Sequence, residues 1–197
     1  MIKYFQSVVI ILMMATSISL NAQKNSALIK GEEITYSDGS TVLKGYVAYN
    51  ENQKGKRPAI IVVPEWWGCS EYVRMRARKL AELGYIAIAA DMYGDGKIAT
   101  NPGEAQAFAG PFYKDPALGK SRVEAAVKKI SSYAQADVNK LAAIGYCFGG
   151  SMVLNAAKLG MNFKGVVSFH GGLAGVPASP GVTKGKILVC HGGADKF

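Results

Sequence analysis

No internal repeat, no low-complexity tract and no linker interrupts this 197-residue sequence, which excludes a repeat array and a chain of separate modules. Charge is sparse as well. Asp, Glu, Lys and Arg make up 19% of the residues against 49% apolar ones, too little charge for a disordered chain and enough apolar surface for a core. Acidic residues are the scarcer sign, so the formal net charge is +9, but the basic residues are scattered between Lys24 and Lys196. Their densest cluster, Arg74 to Lys79, alternates with apolar residues at helical spacing. That pattern is a solvated helix face and not a strip that tracks phosphates, so nucleic acid is not expected as a partner.

Long apolar runs are missing except at the start. Lys3 precedes an unbroken apolar stretch, Val8 to Ala15, and Ser17 to Ala22 then turn small and polar. This is the layout of a secretory signal peptide, with cleavage after Ala22 leaving Gln23 first. Leu20, at the third position before the cut, is larger than usual there. The alternative is an uncleaved anchor, for which the run is short. No cysteine follows the cut, so no lipid attachment is expected at that point. Export to the periplasm or the medium is expected, with residues 23–197 as one domain and no stable membrane insertion. Cysteine is rare too. Cys69, Cys147 and Cys190 are an odd number, which in an exported protein leaves at least one free thiol, and no C-x-x-C pair supports thiol redox chemistry.

What is present alternates. Gly31 to Tyr36 and Thr41 to Tyr49 flank Ser37-Asp38-Gly39-Ser40, the pattern of a hairpin. Ala59 to Val63 and Tyr85 to Ala90 are apolar runs of the kind buried in a parallel sheet. Between them a helix is expected from about Ser70, with Val73, Ala77, Leu80, Ala81 and Gly84 on its inner stripe. Residues 92–115, rich in Gly, Pro and aromatics, are expected to form a loop with a short helix near the site mouth. Asp115-Pro116 starts another helix, with a capping side chain followed by proline at the first helical position. Strands at Leu141–Gly145, Val166–Phe169 and Ile187–Cys190 and a buried helix at Phe148–Gly160 complete the series. The class is α/β with a mostly parallel sheet.

The chemistry concentrates at Gly145-Tyr146-Cys147-Phe148-Gly149-Gly150, which joins a strand to a helix. A nucleophile elbow requires this context: the turn is tight, its flanks must be small, and the central side chain is lifted above the sheet. The N–H groups that follow, at a helix N-terminus, point to where an attacked carbonyl oxygen would lie. The alternative is a glycine-rich turn of a nucleotide-binding loop, but no phosphate-binding lysine and no G-x-G-x-x-G follows.

Gly145-Tyr146-Cys147-Phe148-Gly149-Gly150, Pro64-Glu65-Trp66-Trp67-Gly68 after the first parallel strand and Asp91-Met92-Tyr93-Gly94 after the next resemble the dienelactone hydrolase family in order and spacing, from about Gly31 onward. The resemblance implies an α/β-hydrolase fold, with helices on both faces of the sheet, and no cofactor or metal. It makes Cys147 the nucleophile that attacks an ester or lactone carbonyl to give a thioester. It makes Asp195 the acid that orients a histidine, and Glu65 a carboxylate that helps control thiol ionisation. Read without the family, Asp195 is a turn residue and Glu65 a loop carboxylate. The backbone N–H groups of Trp66 and Phe148 would form the oxyanion hole, with Trp67 and Tyr93 against the substrate.

Two departures bear on this. Dienelactone-cleaving members place an arginine soon after the Asp-x-Tyr to bind the substrate carboxylate; here Asp95 follows, with Lys97 as the nearest candidate. The family's histidine, last helices and final strand are expected beyond Phe197, and His170 and His191 match other positions. Ile187–Cys190 is therefore expected as an open apolar edge, making residues 23–197 alone poorly soluble. The leading expectation is a hydrolase of a small carboxylic ester or lactone. A non-catalytic binding protein using a pocket of Trp66, Trp67, Tyr93 and Phe112 is the alternative, and thiol redox chemistry at Cys147 ranks last.

Overall fold

The structure, a computed structural model, describes residues 28–195. The expected signal segment, residues 1–22, lies outside the described residues. The first strand, β1 (Ile29–Asp38), turns at Gly39 into β2 (Thr41–Asn50), and the two pair antiparallel along their whole length. Gly39, with φ 57°, is the first of two turn residues, where a left-handed backbone suits glycine. Next come β3 (Arg57–Val63) and β4 (Ile86–Ala89), followed by β5 (Ala136–Tyr146), β6 (Gly165–Phe169) and β7 (Lys186–Cys190). The sheet order is β1-β2-β4-β3-β5-β6-β7. Pairing is antiparallel from β1 through β2 to β4 and parallel from β4 to β7.

The two faces of β3 separate two packed layers, as alternation along a strand dictates. Ala59, Ile61 and Val63 enter one core with Ile86, Ile88, Phe112, Val123, Ile130 and Phe148. Ile60 and Val62 enter the other with Val73, Ala77 and Ala81. The second layer is covered by α1 (Glu71–Glu82), which begins after Ser70 as expected and presents Val73, Ala77 and Ala81 at helical spacing. Gly84 falls just past this helix, at φ 91°, in the turn that ends it.

Residues 92–115 were expected as a loop with a short helix, and the helix proves longer than that. Pro102–Lys114 is α2, a helix of 13 residues. Its start is capped in both directions: Asn101 Oδ1 accepts from Glu104 N at 3.0 Å, and the Glu104 carboxylate accepts from Thr100 N and Oγ1 at 2.9 Å each. The helix α3 (Pro116–Ser131) starts as the Asp115-Pro116 pair implies, with Asp115 Oδ1 accepting from Ala117 N at 3.0 Å. Strand β5 is longer than the apolar run Leu141–Gly145. Its first residues pair at Arg57↔Ala136 and Pro58↔Asp137, after which the register jumps to Ala59↔Leu141. Val138, Asn139 and Lys140 are the extra residues, all exposed, and the polar pair Asn139-Lys140 interrupts the apolar run that would mark the strand. The last helix, α4 (Phe148–Lys158), is buried at every residue from Phe148 to Ala157.

Cover thins toward β7. Among the described residues the strand pairs with β6 alone, and Ile187, Leu188 and Val189 stand exposed, as the open edge was expected to be. Among the described residues no helix is long and apolar enough to cross a membrane.

Candidate active site

Cys147 sits between the end of β5 and the start of α4 with φ 52° and ψ −115°, a conformation few non-glycine residues adopt. The glycines around it have specific reasons. A Cβ on Gly145 would overlap the Gly149 carbonyl, and one on Gly149 would overlap the Val63 and Pro64 carbonyls. The turn closes only because both are glycine. Cys147 N donates to Phe169 O at 2.8 Å, which fastens the elbow to the end of β6. Burial lifts the half-buried Cys147 thiol above its ordinary pKa; the backbone N–H of Phe148 pulls it down, and the Glu65 and Asp195 carboxylates push it up again. Glu65 and Asp195 thus both bear on the thiol.

The loop after β3 faces the elbow. The Trp66 and Trp67 rings meet edge-on at 5.4 Å between centroids, and Tyr93 Oη donates to Trp66 O at 3.0 Å. Tyr93 packs against Phe108, Phe112 and Phe148, and burial raises its pKa. Behind it, the fully buried Asp91 accepts four backbone N–H groups, from Lys44, Tyr93, Gly94 and Gly96, at 2.8–3.0 Å. Such a carboxylate replaces water for a whole loop at once.

A cavity of 770 Å³ opens over the thiol, lined by Trp66, Cys147 and His170 and, from α2, by Gln106, Tyr113 and Lys114 among others. Lys97 is exposed and outside that lining. Its part is played by the backbone, where its carbonyl lies so close to Gly68 (φ 94°) that a Cβ there would overlap it. Lys114 is the lysine at the cavity wall instead. The sequence reading missed it together with the length of α2; the Asn101-Pro102 pair, written like Asp115-Pro116, was the available signal. Trp67 and Tyr93 stand just behind the lining, held by the contacts above.

The strand ends set a row. Tyr146, Phe169 and Cys190 are in register across β5, β6 and β7, so the next residues, Cys147, His170 and His191, leave the sheet at one level. His170 has φ 56°, its N donates to Cys190 O at 2.9 Å, and its Nδ1 contacts Asp195 Oδ2. His191 Nε2 lies 3.6 Å from the same oxygen, and the two imidazoles stack with centroids 6.1 Å apart. The pairing of Asp195 with His170 was not expected from the sequence. Among the described residues no group of three His, Cys, Asp or Glu side chains is arranged to hold a metal ion.

A mostly parallel sheet whose β5 ends in a strained cysteine turn, with helices on both faces, is an α/β-hydrolase fold. The chain belongs to the dienelactone hydrolase family, whose model matches residues 43–197. A Methylorubrum extorquens protein named as a carboxymethylenebutenolidase is 32% identical over 183 residues, covering 87% of this chain and 62% of its own length. A solved structure called m3DLH is 38% identical with a TM-score of 0.80, covering 85% of this chain and 70% of its own. A dienelactone hydrolase-like promiscuous phosphotriesterase from metagenomic libraries is 35% identical, also with a TM-score of 0.80, covering 87% of this chain and 71% of its own. The chain thus spans less than two thirds of the length of the curated relative.

Proposed function

We propose that this chain belongs to an exported enzyme that cleaves a small carboxylic ester or lactone through Cys147. One observation carries the reading: Cys147 is raised on a strained turn at the start of α4 and opens onto the 770 Å³ cavity. In the reaction the thiolate attacks the carbonyl carbon, and the carbonyl electrons move onto oxygen. The N–H groups of Phe148 and Trp66 stabilise that oxyanion, a contribution typically on the order of 10²–10³ per donor. Collapse expels the alkoxide, which takes up a proton, and leaves a thioester on Cys147. Water then releases the acid and restores the thiol. The charge of Glu65 adds to the larger effect of burial in keeping the resting thiol protonated. As the family resemblance implies, Asp195 orients the histidine that serves as base.

The test is intact-protein mass spectrometry after exposure to an aryl acetate. Residues 23–197 should gain one acetyl group on Cys147, and where no general base activates water the group is lost more slowly by about 10²–10⁴-fold. Cys147→Ala should gain none, and equal labelling of Cys69, Cys147 and Cys190 would remove the elbow assignment. Rapid turnover lost in His170→Ala would make His170 the base. The same spectra on exported protein should show Gln23 as the first residue.

A further inference from the structure

Beside the main cavity lies a second one of 410 Å³, lined by Tyr113, Ser151, Asn155, Gly172, Ala174 and Gly175. Tyr113, near the end of α2, lines both cavities. Its ring meets Phe148 edge-on at 5.7 Å between centroids. Its hydroxyl lies near Ser151 and within electrostatic reach of the Cys147 thiol. Tyr113 is therefore a partition between the space over the sulfur and the space along α4.

The walls of this side cavity are fixed. Ser151, Asn155 and Lys158 recur at helical spacing on one stripe of α4, and each holds the loop after β6. Gly172 N donates to Ser151 Oγ at 2.8 Å, Val176 N to Asn155 Oδ1 at 3.2 Å, and Lys158 Nζ to Leu173 O at 3.2 Å. Ser151 and Asn155 are 4% and 5% exposed, so their polar atoms face protein or this cavity and little else. Gly175, at φ 98°, could not carry a side chain without pressing on Asn155. No charged residue lines the side cavity, whereas Lys114 lines the main one. Small walls with a hydroxyl and an amide in their floor suit an uncharged chain.

We propose that Tyr113 divides the substrate site, and that the side cavity receives the acyl arm of the substrate, a short uncharged chain. The inference rests on reading Cys147 as the acyl acceptor. Its direction follows from the two volumes. The leaving group must depart while the acyl group stays bonded to sulfur, so the wider cavity is the exit and the narrower one holds what remains.

The experiment compares rates of Cys147 acylation by p-nitrophenyl hexanoate and acetate, read by mass spectrometry so that turnover is not required. Ala174→Trp fills the side cavity from an exposed loop position and should lower the hexanoyl-to-acetyl ratio by about tenfold or more, the range that one or two methylenes command in a fitted pocket. Tyr113→Ala joins the cavities and should raise the phenylacetyl-to-acetyl ratio several-fold. A parallel series uses N-hexyl and N-methyl iodoacetamide, in which the sulfur displaces iodide and no oxyanion forms. There the Ala174→Trp variant should again disfavour the hexyl reagent. Failure of every ester with a normal alkylation series would remove the hydrolase reading and leave the cavity assignment standing. Chain-length ratios unchanged in both variants, for either reagent class, would overturn the inference.

Discussion

Strands β4 and β7 are nearly interchangeable as text and opposite as structure. Ile86-Ala87-Ile88-Ala89 is buried at every residue, while Ile187-Leu188-Val189 is exposed at every one. Each is a short apolar run that makes good backbone pairs. The difference lies in what the rest of the chain lays against them. β4 has β2 on one edge, β3 on the other, and α1 against one face. Among the described residues β7 has β6 on one edge and no strand on the other. An apolar run therefore specifies a strand; burial is conferred by distant segments.

The largest expected effect breaks that symmetry energetically. Ile88→Ala should cost about 2–5 kcal/mol, because a closed core cannot collapse around the gap. Leu188→Ala, at 55% exposure, should stay within about 0.5 kcal/mol. Urea unfolding midpoints measure both, and equal losses would mean that β7 is packed after all. The thiols give a second, smaller contrast. Burial under α1 pushes the Cys69 thiol up to about 12, while Cys147 is half-buried and raised less completely into the core. Raising the pKa of an acid lowers its thiolate fraction at a given pH, so Cys147 alkylation should climb about tenfold per pH unit. It should show no plateau near pH 8.5, where an unperturbed thiol is about half ionised. Cys69 should remain unlabelled over the same range, and a plateau for Cys147 below about pH 8 would contradict the burial effect. The smallest effect concerns association. Leu188→Lys places a charge on the open edge and should lower light scattering of residues 23–197 several-fold, with little change in unfolding midpoint.

Much of the frame was legible because it depends on local chemistry. The glycines around Cys147, the β-branched runs of β3 and β4, and the Asp115-Pro116 cap each announce their conformation within a few residues. The rest depends on contacts that no local window holds. Gln106, Tyr113 and Lys114 reach the cavity only because α2 runs to Lys114, and Gly110-Pro111 within it suggests a break that the packing of Ala105, Ala109 and Phe112 overrides. Lys97 stood nearer the motif in sequence, yet the Gly68–Ile98 bridge turns that segment outward. The exposed residues 138–140 concealed half of β5. The Asp195–His170 contact joins positions 25 apart, and only strand register could have foretold it.

That register has a consequence for how such a protein can change. Because Cys147, His170 and His191 are chosen by counting along three paired strands, a single-residue insertion or deletion inside β5, β6 or β7 would exchange a reactive side chain for its neighbour while leaving the fold's outline intact. The connections carry no such count. The loop from Gly171 to Gly185, between β6 and β7, can lengthen without moving either histidine from its row. In a library of random insertions, survivors with altered reactivity should therefore fall within the strands, and survivors with altered substrate range in the loop that roofs the side cavity.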